Sequence, residues 1–354
     1  MTPPRLSLLI SLDVEEEGLF GGRYQRRGCT TANTASLGRI APLCARGAQF
    51  TLFCAHSVLA DAASCATLAR LRDTHGVEIG AHLHHWNTPP LTWPPTGASA
   101  DATAGPDSTT SVPADALSPS LLAAKLECLL EAARNGLGER PTSFRMGRWD
   151  AHRALWPLLA RAGFLADASV RPLHRGRPRR GSAPASGPDH FDAPAAPYWI
   201  PVDAEHRLFE APLTVTPLHP HLPGLVRRLP GPCADAALTG FQHWGALALL
   251  PVYHPLWVMK LVTRLYVQRG GRLLSLTWHS SEMHPGATPH LPDAKAVDGL
   301  LGKITAWLDW LMEHFDVRCR TLDALRRELG PTAPVLAGNG DWSMDEAAGP
   351  CPQP

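Results

Sequence analysis

A chain of 354 residues with 44% hydrophobic content and a formal charge of +1 can bury one large core or two modest ones, and it lacks the basic surplus of a nucleic-acid binder. No apolar stretch approaches the roughly 18 residues that span a bilayer, so no integral membrane segment is expected, and the short run at 6–12 passes straight into acidic residues instead of a signal-peptide cleavage site. The eight cysteines show no CxxC spacing, which points to a reducing, cytoplasmic setting.

In chain order, apolar runs alternate with amphipathic stretches. Residues 6–12 and 49–54 read as strands, with a helix at 35–46 between them. A helix at 62–74 leads to a strand at 77–83. Strands at 142–146 and 164–168 flank a helix at 152–162, and a last strong strand covers 272–278. The helix at 297–315 places Leu301, Ile304, Leu308, Leu311 and Phe315 on one face. Repeated strand–helix units imply a parallel sheet covered by helices, open or closed into a barrel. Pro-, Ser- and Gly-rich segments at 88–120 and 171–197 break the rhythm and read as insertions, and 331–354 reads as a disordered tail. The basic stretch from Arg175 to Arg180 reads as a solvated loop. One catalytic domain over 1–330 accounts for the whole.

Four clusters fall just after predicted strands, where parallel α/β folds collect their chemistry. In Ser11-Leu12-Asp13-Val14-Glu15-Glu16, Asp13 and Glu15 share one face of an extended backbone. In His82-Leu83-His84-His85-Trp86, the His-x-His pair presents two imidazoles to one side, suited to a divalent cation, while His85 points away. Arg145, in Ser143-Phe144-Arg145-Met146-Gly147-Arg148-Trp149, can orient a carboxylate, with Asp167 on the next strand as its candidate partner. His279, ending Leu276-Thr277-Trp278-His279, can act as a general acid. Trp86, Trp149 and Trp278 adjoin these motifs, either as platforms for sugar rings or as core.

The order and content of these motifs resemble the polysaccharide deacetylase superfamily, whose catalytic unit is the NodB homology domain, and more narrowly its WalW-type branch. The segments SLDVEE, EIGAHLHHWNTPP, SFRMGRWD, DASVRP and LTWHSSEMHPGATPH carry the resemblance, which runs from Leu6 to Leu329. It implies a distorted (β/α) barrel of about seven strands. It also implies one divalent metal ion, zinc being expected, held by an aspartate and two histidines. The implied reaction is hydrolysis of the acetamide of an N-acetylated sugar, oligosaccharide or glycolipid, with a carboxylate base and a histidine acid.

By position, Asp13 matches the first aspartate of the family's Thr-Phe-Asp-Asp-Gly motif, His82 the first histidine of its His-x-x-x-His motif, and His279 its last-motif histidine. Arg145 and Asp167 resemble the pair that supports the base. Two positions depart from the pattern: Val14 stands where the second aspartate is usual, and Trp86 where the second histidine is usual. The implied metal set is therefore rebuilt as Asp13, His82 and His84, with Glu15 as base; exchange of Asp13 with Glu15, or of His84 with His85, is the alternative. Hydrolysis of another non-peptide amide, or a silent carbohydrate-binding role, remains a rival reading.

Overall fold

Strand β1 (Arg5–Val14) is buried at every residue but its first, as a central parallel strand covered on both faces must be. It pairs in parallel with β2 (Phe50–Ala55) on one side and with β10 (Leu273–His279) on the other, Asp13 standing beside His279. Beyond β2 follow β3 (Glu78–Leu83), β4 (Ser143–Met146), β5 (Ala166–Asp167) and β7 (Arg207–Glu210), all parallel. Strand β6 (Tyr198–Pro201) closes that edge antiparallel to β7, and β11 (Asp316–Cys319) pairs with the start of β1. The nine-stranded sheet curls into a half-barrel. After β7 the chain crosses towards β10, where the Thr214 and Ser275 backbones bond at 3.3 Å. A small hairpin, β8 (Val215–Pro217) with β9 (Ala246–Ala248), stands outside the main sheet.

The computed structural model describes residues 4–22, 24–91, 113–176, 188–230, 232–337, 342 and 344. Helices pack on the outside of the sheet. The helix Ala294–His314 starts where the Asp293 side chain accepts the Ala296 N–H, and it buries Ile304, Trp307, Leu308 and Leu311. Each such side chain contributes roughly 1.5–3 kcal/mol. The helix Pro119–Leu137 begins at a Ser118 cap with Pro119 in its first turn and ends at Gly138 in the left-handed region. Its Lys125 is buried, and its ammonium donates to the carbonyls of Thr88 and Pro90, tying down the chain that leaves β3.

The expected insertions are shorter at their described edges. Ala114 and Leu117 lie in the main core, because the chain must return there to enter the Pro119–Leu137 helix; 92–112 lies outside the described residues. In the second, an Arg175–Asp189 bridge and the buried Phe191 and Ala193 anchor the described flanks, and 177–187 lies outside them. The expected tail from 331 is likewise anchored at first: the Leu336 N–H bonds the Trp199 carbonyl, and Ala333 and Leu336 are buried. Beyond 337 only Trp342 and Met344 are described.

Asp167 and Glu210 face one another on β5 and β7, both fully buried. Burial pushes Asp167 up to about 6 although Ser169, Glu210 and Trp156 donate to its carboxylate; burial and the neighbouring Asp167 charge raise Glu210 much further. The pair therefore keeps a proton that the unfolded chain, with both groups near their ordinary range of about 4, gives up. Groups raised on folding contribute stability at low pH and lose it as pH rises through the folded values. Glu210→Gln should accordingly gain stability relative to the parent as pH rises from about 5 to about 8, read from denaturant midpoints. A difference constant with pH would contradict the shared proton.

Candidate functional site

At the C-terminal ends of β1, β3, β4 and β10 a buried polar cluster forms. Asp13 and Glu15, two residues apart, face the barrel interior, while Val14 between them packs in the core. His82 and His84 repeat the arrangement at the end of β3. One ligand atom from each of Glu15, His82 and His84 lies within 4.8 Å of the others. His84 Nε2 is 3.2 Å and His82 Nε2 3.7 Å from the Glu15 carboxylate.

The far sides of both rings are engaged. His82 Nδ1 lies 3.0 Å from the Arg145 carbonyl; a carbonyl only accepts, so Nδ1 carries the hydrogen and Nε2 is left to receive. His84 Nδ1 donates to Glu16 at 2.9 Å, and Asn87 and Ser57 also donate to that carboxylate. Such outer partners fix the tautomer and aim Nε2 inward. Gly147 completes the cradle: a Cβ there would stand 2.6 Å from His84 Cδ2 and 2.8 Å from the Leu83 carbonyl. Burial disfavours charge on His84, but Glu16 and Glu15 outweigh it and push its pKa up to about 10, so a cation bound at Nε2 takes the place of the proton there. Two nitrogens, one carboxylate and a built outer layer fit a divalent cation.

Asp13 is not part of this group. Arg145 Nη1 donates to it at 2.7 Å, and the same guanidinium reaches Thr277 Oγ1, Ser11 Oγ and the Ala168 carbonyl. Phe53 lies beneath the guanidinium at 4.2 Å. Burial alone would raise the Asp13 carboxyl; Arg145, His82 and His279 outweigh it and hold the carboxyl below its ordinary range. Two expectations change here. The carboxylate grouped with the histidines is Glu15, because its longer side chain reaches the Nε2 atoms while Arg145 engages Asp13. Asp167 does not partner Arg145 but lies in the Glu210 pair, bonded to Ser169 and Trp156.

His279 closes the cluster, its Nε2 at 3.8 Å from Asp13. Glu282 accepts from both the His279 ring, at 2.9 Å, and the His279 backbone N–H, and it also meets His290 at 3.2 Å. Burial opposes charge on His279, but Glu282, Glu15 and Asp13 prevail and push it up to about 10. It remains 24% exposed and faces Phe20 edge-on. Glu16, Glu282, His290 and Gly147 lie inside the motif segments, yet the motifs alone give them no role. Glu282, three residues beyond His279 at a helical turn, carried the one recognisable signal.

The three tryptophans separate. Trp278 is 1% exposed and packs on Phe50, a core residue and not a platform. Trp86 is buried and stacks on His84 at 4.2 Å, sealing the cluster. Only Trp149 is half-exposed. Arg148 and Trp149 both adopt left-handed backbone, a strained state for bulky residues that concentrates at functional sites, and Trp149 thereby lies 5.0 Å from the Arg145 guanidinium. His85 lies outside the three-residue group.

No family model and no curated protein matches the chain. Among solved structures it is similar to a Parabacteroides distasonis protein described as a glycoside hydrolase/deacetylase, at 10% identity and a TM-score of 0.50, over 92% of this chain and 72% of that one. A Mycobacterium smegmatis protein described as a polysaccharide deacetylase matches at 15% identity and a TM-score of 0.49, over 93% and 91%. A mutant of a CE4 family pseudoenzyme matches at 8% and 0.36, over 89% and 70%. The first of these likenesses establishes the fold, a distorted half-barrel of the glycoside hydrolase/deacetylase type.

Glu16→Gln keeps the shape of the outer layer but removes the charge that holds His84. It should weaken zinc binding by about 10–100-fold, measured by calorimetric titration of chelator-treated protein. Parental affinity in this variant would show that His84 is not held through Glu16.

Proposed function

We propose that this chain is a metal-dependent hydrolase that removes N-acetyl groups from sugars, allied to the WalW-type deacetylases that its motifs resemble. The observation that carries the reading is the division of the cleft into two parts. Glu15, His82 and His84 form a nitrogen-rich cation site, while Asp13 and His279 stand beside it at 3.8 Å from each other. Glu15, His82 and His84 would hold the ion, zinc by the donor set; when bound, it supplies Lewis acidity to a carbonyl oxygen and acidifies water.

The chain's own residues provide the proton transfers. Asp13, held ionised by Arg145, accepts a proton from the attacking water. His279, charged and fixed at Nδ1 by Glu282, presents Nε2 to the nitrogen that leaves and donates the proton that an amine needs to depart. Arg145 favours the ionised form of Asp13 and Glu282 the charged form of His279, the directions these roles require. Arg145 steers Asp13 and buries its own charge beneath Trp149 and over Phe53. Trp149, half-exposed beside the guanidinium, is the platform available to a sugar ring.

Deacetylation of acetylated chito-oligomers, followed by acetate release, tests the reading. Asp13→Asn and His279→Gln should each lower kcat by roughly 10²–10⁴-fold while the protein still binds one equivalent of zinc. Near-parental turnover in either variant would remove that residue from its role. Parental protein that releases no acetate from any acetylated sugar, with zinc bound, would overturn the function.

A further inference from the structure

His290 closes the segment 276–290 that carries the last motif, yet the proton transfers assigned to Asp13 and His279 leave it without a role. A short turn brings it back onto Glu282. Buried Met283, Thr288 and Leu291 anchor that turn. Gly286 within it adopts the left-handed region at φ +80°, and its N–H bonds the Leu291 carbonyl at 2.9 Å. Two residues eight apart thereby meet, with His290 Nε2 at 3.2 Å from Glu282 Oε1.

Glu282 is almost fully buried, and its two oxygens are divided between two imidazoles. Oε2 takes the His279 backbone N–H at 2.8 Å and the His279 ring at 2.9 Å; Oε1 takes His290. Burial would raise this carboxyl, but the His279 charge and the donors from His279 and His290 outweigh it and hold it at about 2. An ionised carboxylate only accepts, so Nε2 of His290 is the donor. A carboxylate gripped at one oxygen still turns about its last bond, where the torsion is broad. A donor on the other oxygen fixes its plane. Phe20 lies edge-on to both imidazoles, 4.9 Å from His279 and 5.6 Å from His290, on a turn flanked by Gly18 and Gly22, both left-handed. Tyr253 stands on the outer side, its ring 6.4 Å from that of His290.

We propose that His290 is a positioning residue: its bond to Glu282 Oε1 fixes the plane of the carboxylate that aims His279 Nε2 into the cleft. The clamp stands on its own geometry; its part in turnover rests on the deacetylase reading. Proton delivery is sensitive to such aiming, since a misplacement of about 1 Å can cost about 10²-fold. His290 acts here through Glu282 and without touching the substrate, which separates it from a binding residue.

Two substitutions separate the donor from the ring. His290→Phe keeps a ring beside Phe20 and Tyr253 but removes the donor. It should lower kcat for acetate release from acetylated chito-oligomers by about tenfold, with KM, zinc affinity and melting temperature unchanged. His290→Gln keeps an N–H donor and should return kcat to within about threefold of the parent. In a Glu282→Gln background His290→Phe should cost little more, because its effect passes through Glu282. Parental kcat in His290→Phe overturns the proposal. So does a loss confined to KM, or a full loss in the Glu282→Gln background, either of which would make His290 a substrate contact. Nitrogen-15 NMR of the histidine rings reads the clamp without turnover. The His279 Nδ1–H should give one hydrogen-bonded resonance in the parent and in His290→Gln, and broaden in His290→Phe. An unchanged resonance in His290→Phe overturns the clamp whether or not the protein deacetylates. Broadening there, with no acetate released by the parent, supports the clamp and removes only the reaction it serves.

Discussion

Side chains on an extended strand alternate between its faces, and in β1 this alternation sets the chemistry of the cleft. Val14 falls on the face that packs in the core, so the next carboxylate able to reach the barrel interior is Glu15. The same two-residue step on β3 brings His82 and His84 together and leaves His85 outside their group. The cation site thus takes His82 and His84 from one strand end and Glu15 from the other, while Asp13, two residues earlier on the same face of β1, goes to Arg145.

The second constraint is the buried Arg145–Asp13 pair. Both partners are almost fully buried, and the guanidinium is further satisfied by Thr277, Ser11 and the Ala168 carbonyl. A buried pair with its remaining hydrogen bonds met is costly to break, about 3–5 kcal/mol when one partner is removed. Here it holds one carboxylate away from the imidazoles that another engages. Two acids two residues apart thereby acquire different surroundings, the condition under which one can bind a cation while the other moves a proton.

Much of this was legible in the sequence. The six strong strands and the helices at 62–74 and 297–315 follow from apolar runs and helical spacing, and the structure places them within a few residues. The residues of the cleft were legible as well, because they sit at strand ends. Their division was not. Asp13 and Glu15 are equivalent by spacing, and the residue that separates them, Arg145, arrives from β4 across the barrel. Asp167 was read as its partner because it lies on the next strand, yet its pairing with Glu210 depends on β7, whose four residues Arg207–Glu210 carry no clear pattern. Trp278 and Trp86 show the same limit: adjacency to a motif does not reveal whether a ring faces core or cleft.

The account turns on which carboxylate belongs to the cation. Zinc stoichiometry measured on Glu15→Gln and Asp13→Asn, beside the parent, addresses it directly. The parent should hold one ion per chain, Asp13→Asn should keep it, and Glu15→Gln should lose it or bind far more weakly. An ion retained in Glu15→Gln and lost in Asp13→Asn would reverse the two roles and contradict the account.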